Sequence, residues 1–195
     1  MAPPIHPNLM TALRLPLAPL AVGFLLTGTV WGVVAAAVLS LILEATDLLD
    51  GWIARKYGVV SDFGKLFDPF ADSFCRFTLF LGLYAIHLAD LWMILVLFYR
   101  DSTVAFLRGV AASQGIVVPA RQSGKITAVI QGVGTQVCYL VLVVQALIPS
   151  LAEPLATVPW WTMLIITLFT AFTLVDYLVG NRPVLETAWN DRPAR

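Results

Sequence analysis

Apolar segments of about 20 residues follow one another along nearly the whole chain, near 9–27, 30–54, 66–88, 91–113, 125–148 and 158–180. At about 1.5 Å of rise per residue, each is long enough as a helix to cross a hydrocarbon core roughly 30 Å thick. Charged residues make up only 12% of the chain and hydrophobic ones 59%, whereas a soluble domain carries about 25% charged residues. Most of the surface must therefore face lipid. The expected fold is an all-α integral membrane protein, a six-transmembrane-helix bundle over residues 1–180 followed by a polar tail, 181–195.

The twelve basic residues orient this bundle. The joints near 28–31, 87–91 and 149–157 contain no Lys or Arg, so every basic residue lies in, or leans toward, the opposite side. An excess of Lys and Arg marks cytoplasmic loops, which predicts both termini in the cytoplasm and a multi-pass protein of the cell (inner) membrane. The first segment reads as a retained span, because no Lys or Arg precedes Arg14 and Arg14 itself interrupts the apolar run. Cys75 and Cys138 fall inside expected helices as small hydrophobes, and no disulfide is predicted. Nothing in the pattern points to a nucleic-acid partner.

Against this apolar background stand Asp47, Asp50, Asp68 and Asp72, with Arg55, Arg76 and the spaced glycines Gly51 and Gly64. A charged carboxylate at mid-bilayer costs about 2.5–3.5 kcal/mol on insertion scales, so four in one stretch require a compensating partner. A divalent metal is the natural one, and a carboxylate-bound hard cation beside a membrane points to phosphate chemistry. Three residues apart, Asp47 and Asp50 project from one helix face about 60° apart. Gly51 and Ala54 share that face and keep it free of bulk, so a nucleotide or pyrophosphate can lie against it. Gly64, Asp68 and Asp72 repeat the arrangement at spacings of four on the next helix. Two helices joined by a short turn thus offer the oxygen donors of a one- or two-metal site, with Arg55 and Arg76 available for phosphate charge. A structural pair of Asp72 with Arg76 would account for one acid and leave the other three unexplained.

Arg100, Arg108, Arg121 and Lys125 form a second polar group toward the same side, where a phosphorylated acceptor would enter. An arginine some way into the membrane, such as Arg100, implies a buried anion, for which neighbouring Asp101 is the local alternative. Topology and anionic headgroups are the competing explanation for Arg108, Arg121 and Lys125, and for Arg121 above all. Asn8, Thr11 and Arg14 recur at spacings of three as a polar stripe on the first helix, for which an interfacial helix start is the plain alternative to a site role. Glu44 and Asp176 are ambiguous between supporting the site and bonding within the bundle; His6 and His87 are assigned no role.

The stretch DLLDGWIARKYGVVSDFGKLFDPFAD, Asp47 to Asp72, matches every fixed position of DxxDGxxAR, eight residues, GxxxDxxxD. It resembles the signature of the CDP-alcohol phosphatidyltransferases. PNLMTALRLPLAPL, FGKLFDPFAD and RDSTVAFLRGVAASQGIVVPARQSGKITAVIQ extend the likeness over most of the chain, toward bacterial phosphatidylglycerophosphate synthases. The likeness departs in ARQSGKITA, where those enzymes commonly read close to SWLGKIKT: Thr127 stands in place of the second lysine, and Arg121 adds a cation.

The resemblance implies a six-helix membrane enzyme that uses Mg2+ or Mn2+, takes CDP-diacylglycerol and a small polar alcohol, and forms a homodimer. By analogy Asp47, Asp50 and Asp68 are metal ligands, and Asp72 is a ligand that doubles as the base. Gly51, Ala54 and Arg55, with Asp50 and Gly64, form the nucleotide cradle, to which Asn8, Thr11 and Arg14 contribute. Arg100, Arg108 and Lys125 bind the acceptor phosphate, with Arg121 beside them. The implied reaction is attack by the acceptor hydroxyl on the lipid-side phosphorus of CDP-diacylglycerol, with CMP leaving. The preferred acceptor is glycerol 3-phosphate; inositol phosphate, serine or another polyol are alternatives. More remote readings are an intramembrane prenyltransferase, whose acidic motifs lie much farther apart, and a cation transporter, whose carboxylates would be spread along a path.

Overall fold

The computed structural model describes residues 7–57, 62–113, 121–183 and 185–186; within its helices the side chains of residues 7, 48, 50–55, 62, 65 and 113 lie outside the description. Six α-helices follow in order: α1 (Pro7–Leu25), α2 (Val30–Tyr57), α3 (Asp62–Ala85), α4 (Leu91–Ser113), α5 (Gln122–Leu147) and α6 (Val158–Gly180), with a 3-10 turn at Pro149–Leu151 before α6. No strand occurs among the described residues.

Four helices contain stretches long and apolar enough to cross a membrane: Asn8–Leu25, Val30–Asp47, Gln122–Leu147 and Val158–Gly180. The count expected from the sequence was six. α3 and α4 have the length, at 24 and 23 residues, but charge interrupts them. α3 carries Asp68, Asp72 and Arg76, and α4 carries Arg100, Asp101 and Arg108. These are the residues that the sequence marks for chemistry, and their cost in lipid explains why composition alone fails to class α3 and α4 as spans.

Local chemistry sets the helix ends at the side of the bundle whose joints carry no Lys or Arg. Beyond α1, Gly28 takes φ +65°, and its N–H and that of Thr27 reach back to the carbonyls of Leu25 and Phe24. Thr29 then caps α2, its hydroxyl accepting from the Gly32 N–H at 3.0 Å. α3 closes with the N–H of Leu88 on the Leu83 carbonyl and that of His87 on Tyr84, both at 2.9 Å. His87 occupies the left-handed position of that motif, φ 61°. Trp160 Nε1 donates to Asp90 Oδ2 at 3.0 Å, joining the start of α6 to the start of α4. Trp31, 80% exposed, and the exposed Trp92 and Trp161 ring this end, the expected place for indoles at a membrane interface.

The core runs between the helices as Ala18, Ala21, Ala36, Leu79, Phe80, Leu83, Met93, Ile94, Tyr139 and Ile166. Alanines at the α1–α2 contact let those backbones approach closely, the usual way helices associate in lipid. α1 packs chiefly on α2 and α3, which brings its first turns onto the charged halves of both. Cys75 and Cys138 are buried free thiols. The outward surface is rich in large apolar side chains such as Leu66, Val129, Ile165, Phe172 and Val179, as a lipid-facing exterior requires.

Candidate active site

Antiparallel succession places the end of α2, the beginnings of α1, α3 and α5, and the ends of α4 and α6 at one pole of the bundle. Arg14, although charged, is only 2% exposed there. Its Nη1 donates to Asp47 Oδ1 at 2.6 Å and to Asp72 Oδ1 at 2.7 Å. Thr11, one turn earlier on the same α1 face and fully buried, donates its hydroxyl to Asp68 Oδ1 at 2.9 Å. The polar stripe of α1 therefore ties together acids from α2 and α3. Asn8 is half-buried one turn further out.

A pocket opens beside these acids, lined by Arg14, Glu44, Asp47, Asp72 and Arg76. Arg76 does not pair with Asp72; its Nη1 donates to Gln131 Oε1 of α5 at 3.1 Å, and Gln131 Nε2 donates in turn to Thr170 Oγ1 of α6. Glu44 faces α5 at Gly132, where a Cβ would collide with its Oε1. Its carboxylate thus sits on a glycine-made recess.

The donor set is chemically suited to a hard divalent cation, being carboxylate oxygen throughout. Two of these oxygens, from Asp47 and Asp72, lie within 2.7 Å of the same nitrogen, close enough to share one ion. Among the described residues no group of three potential ligands is assembled. The side chains of Asp50, Gly51, Ala54 and Arg55 lie outside the described ones, while Gly64 is buried on α3.

The basic group converges on a residue that the sequence reading did not single out. Tyr177 of α6 is 1% exposed. Its hydroxyl accepts from Arg108 Nη2 and from the Arg121 backbone N–H, each at 3.4 Å, and the Arg100 guanidinium lies over its ring, 5.7 Å from the centroid. Arg100 Nη1 also meets Asp101 Oδ1 at 2.8 Å, the local pairing foreseen. The Nε atoms of Arg100 and Arg108 are buried and have no hydrogen-bond partner among the described residues. Arg121 is spoken for: its Nε and Nη2 bind both carboxylate oxygens of Asp176, at 2.8 and 2.7 Å, and Ser123 Oγ donates to the same group. Asp176 is thus a bundle clamp. Lys125, one turn into α5, is exposed. The periodic run Thr170, Thr173, Asp176 and Tyr177 in an otherwise apolar helix was the available signal for this polar seam.

Residues 4–172 match the family model of the CDP-alcohol phosphatidyltransferases. The chain belongs to that family. Within it, 132 residues are 36% identical to a CDP-diacylglycerol--glycerol-3-phosphate 3-phosphatidyltransferase of Bacillus subtilis, covering 62% of this chain and 68% of the relative. A protein of the same name from Treponema pallidum is 42% identical over 93 residues, 48% of this chain and 43% of the relative. A probable phosphatidylglycerophosphate synthase of Mycobacterium tuberculosis is 28% identical over 180 residues, 88% of this chain and 78% of its own length. The match to the Treponema protein thus spans less than half of that relative. As a member of the CDP-alcohol phosphatidyltransferases the chain is an enzyme that works in a membrane setting.

Proposed function

We propose that this phosphatidyltransferase moves the phosphatidyl group of CDP-diacylglycerol to glycerol 3-phosphate, releasing CMP, in phospholipid biosynthesis. The observation that supports the reading is the occurrence at one pole of two sets: carboxylates gathered by Arg14, and arginines around Tyr177 whose buried Nε donors lack partners among the described residues. A nucleotide diphosphate suits the first set by way of a divalent cation, and an acceptor phosphate suits the second directly. The relatives' names carry the choice of glycerol 3-phosphate.

In this reading Asp47, Asp50, Asp68 and Asp72 hold Mg2+ or Mn2+, which when bound neutralises charge on the diphosphate and on the departing CMP. Asp50, Gly51, Ala54, Arg55 and Gly64 make the floor for the nucleotide, to which Asn8, Thr11 and Arg14 contribute from the α1 side, Thr11 and Arg14 while holding the acids. Arg100, Arg108 and Lys125 fix the acceptor phosphate, and Arg121, through Asp176, frames them. Asp72 accepts the hydroxyl proton as the acceptor oxygen bonds to the lipid-side phosphorus and the bond from that phosphorus to CMP breaks. A carboxylate is a weak base for an alcohol, so the proton moves late in this displacement.

The same reading counts all six helices as spans over residues 1–180, with 181–195 a tail. It places both termini and the active pole on the cytoplasmic side of the cell (inner) membrane, with the enzyme acting as a homodimer. The lipid tails stay in the bilayer while the headgroup reaches the acids. The test is CMP release by purified protein given CDP-diacylglycerol, Mg2+ and a panel of acceptors. Turnover with glycerol 3-phosphate is expected; turnover with serine or inositol phosphate alone would reassign the acceptor, and none with any alcohol would end the reading.

A further inference from the structure

Arg14 sits between two acids that need a cation. A single nitrogen, Nη1, is shared by Asp47 Oδ1 and Asp72 Oδ1 at 2.6 and 2.7 Å, and the side chain is 2% exposed against 27% and 28% for the two acids. Two carboxylates drawn this close repel one another, and a positive charge between them is the condition for holding them together. A guanidinium stays charged at any pH the protein meets, so this neutralisation is permanent. The backbone behind it is fixed as well, since the Arg14 carbonyl accepts from Cys75 Sγ at 3.5 Å.

We propose that Arg14 is a built-in counter-ion that keeps the metal site assembled when no metal is there, and that it competes with the divalent ion for Asp47 and Asp72. The proposal rests on the metal-dependent reading given above. An ion bound by both acids takes oxygen lone pairs that Nη1 uses, so its binding is weakened by the work of drawing those oxygens from Arg14 and by repulsion between the two cations. Arg14 is then a positioning residue with two opposite effects: it stabilises the metal-free fold and holds metal affinity down.

The experiment compares wild type, Arg14→Gln and Arg14→Lys in detergent, reading Mn2+ binding by electron paramagnetic resonance and thermal unfolding without metal. Arg14→Gln should unfold at a lower temperature when metal-free and bind Mn2+ about tenfold more tightly, since one repelling unit charge is gone. Arg14→Lys keeps the charge but has no planar fork to bridge two acids, and should bind Mn2+ with an affinity between the two. That variant carries the test if Arg14→Gln does not fold. A merely structural arginine would lower stability and leave Mn2+ binding equal or weaker, and that result overturns the proposal. If wild type and variants alike bind no Mn2+, the proposal falls together with the metal-dependent reading, a pattern distinct from unchanged binding.

Discussion

Gly124 of α5 exists to leave room for Tyr177 of α6: a Cβ at this position would lie 3.0 Å from the Tyr177 hydroxyl, 3.1 Å from Cε2 and 3.5 Å from Arg100 Nη2. Contacts that tight force the neighbour to give, and Tyr177 is buried at 1% exposure. Gly124→Ala should therefore move the ring that carries Arg100 and receives Arg108. The expected result is a KM for glycerol 3-phosphate raised by about tenfold, with the KM for CDP-diacylglycerol nearly unchanged, because displacements of about 1 Å remote from chemistry cost up to 10²-fold. Steady-state CMP release with each substrate varied in turn checks it.

The two cations at the start of α5 should behave differently. Arg121 is held by both oxygens of Asp176, whereas Lys125 is exposed one turn away. Lys125→Gln should raise the KM for glycerol 3-phosphate by about tenfold, the loss of the one charge-assisted contact proposed for it. Arg121→Gln should change it by no more than about twofold, since a partly exposed ion pair contributes little. Equal effects in the same kinetic assay would show that Arg121 leaves Asp176 to hold the acceptor.

Much of this was legible in the sequence because lipid makes polar residues conspicuous. The six helices match the six apolar segments to within a few residues at most ends, and the grouping of Asp47, Asp68 and Asp72 follows from helical spacing plus one short turn. Partner choice was not legible. Periodicity puts Thr11 and Arg14 on one face of α1 but does not say that this face meets α2 and α3, so the tie they make among the acids was not legible. Likewise nothing local in α3 says that Arg76 turns to Gln131 instead of Asp72 four residues back. Tyr177 escaped notice because a tyrosine near a helix end looks interfacial, and only packing shows its hydroxyl turned inward between α4 and α5.

At the opposite pole His87 adopts φ 61° in the turn that closes α3. An L-residue in this region costs about 1–2 kcal/mol, whereas glycine adopts it freely. The two turn hydrogen bonds there, Leu88 to Leu83 and His87 to Tyr84, use backbone atoms only and survive substitution. His87→Gly should raise unfolding stability by about 1 kcal/mol and leave CMP release unaltered, since the site lies at the other end of the bundle. A thermal unfolding comparison in one detergent decides it, and a fall in stability would mean that the imidazole makes a contact worth more than the strain.

Asp72→Asn separates chemistry from architecture. Asparagine keeps an oxygen that can accept from Arg14 Nη1, now received by Asp72 Oδ1 at 2.7 Å, so α1 and α3 should stay joined and the melting temperature close to wild type. Under the proposed mechanism, what is lost is the capacity to take a proton, together with one negative charge of the donor set. General-base removal alone is worth about 10²–10⁴ in rate, and turnover should fall by at least that much. Asp68→Asn provides the contrast. Asp68 accepts from Thr11 rather than from Arg14, so loss of its charge should weaken the response to Mg2+ and be partly recovered at high Mg2+ concentration. Turnover retained by Asp72→Asn, measured as CMP release across a range of Mg2+, would pass the proton-accepting role to another group.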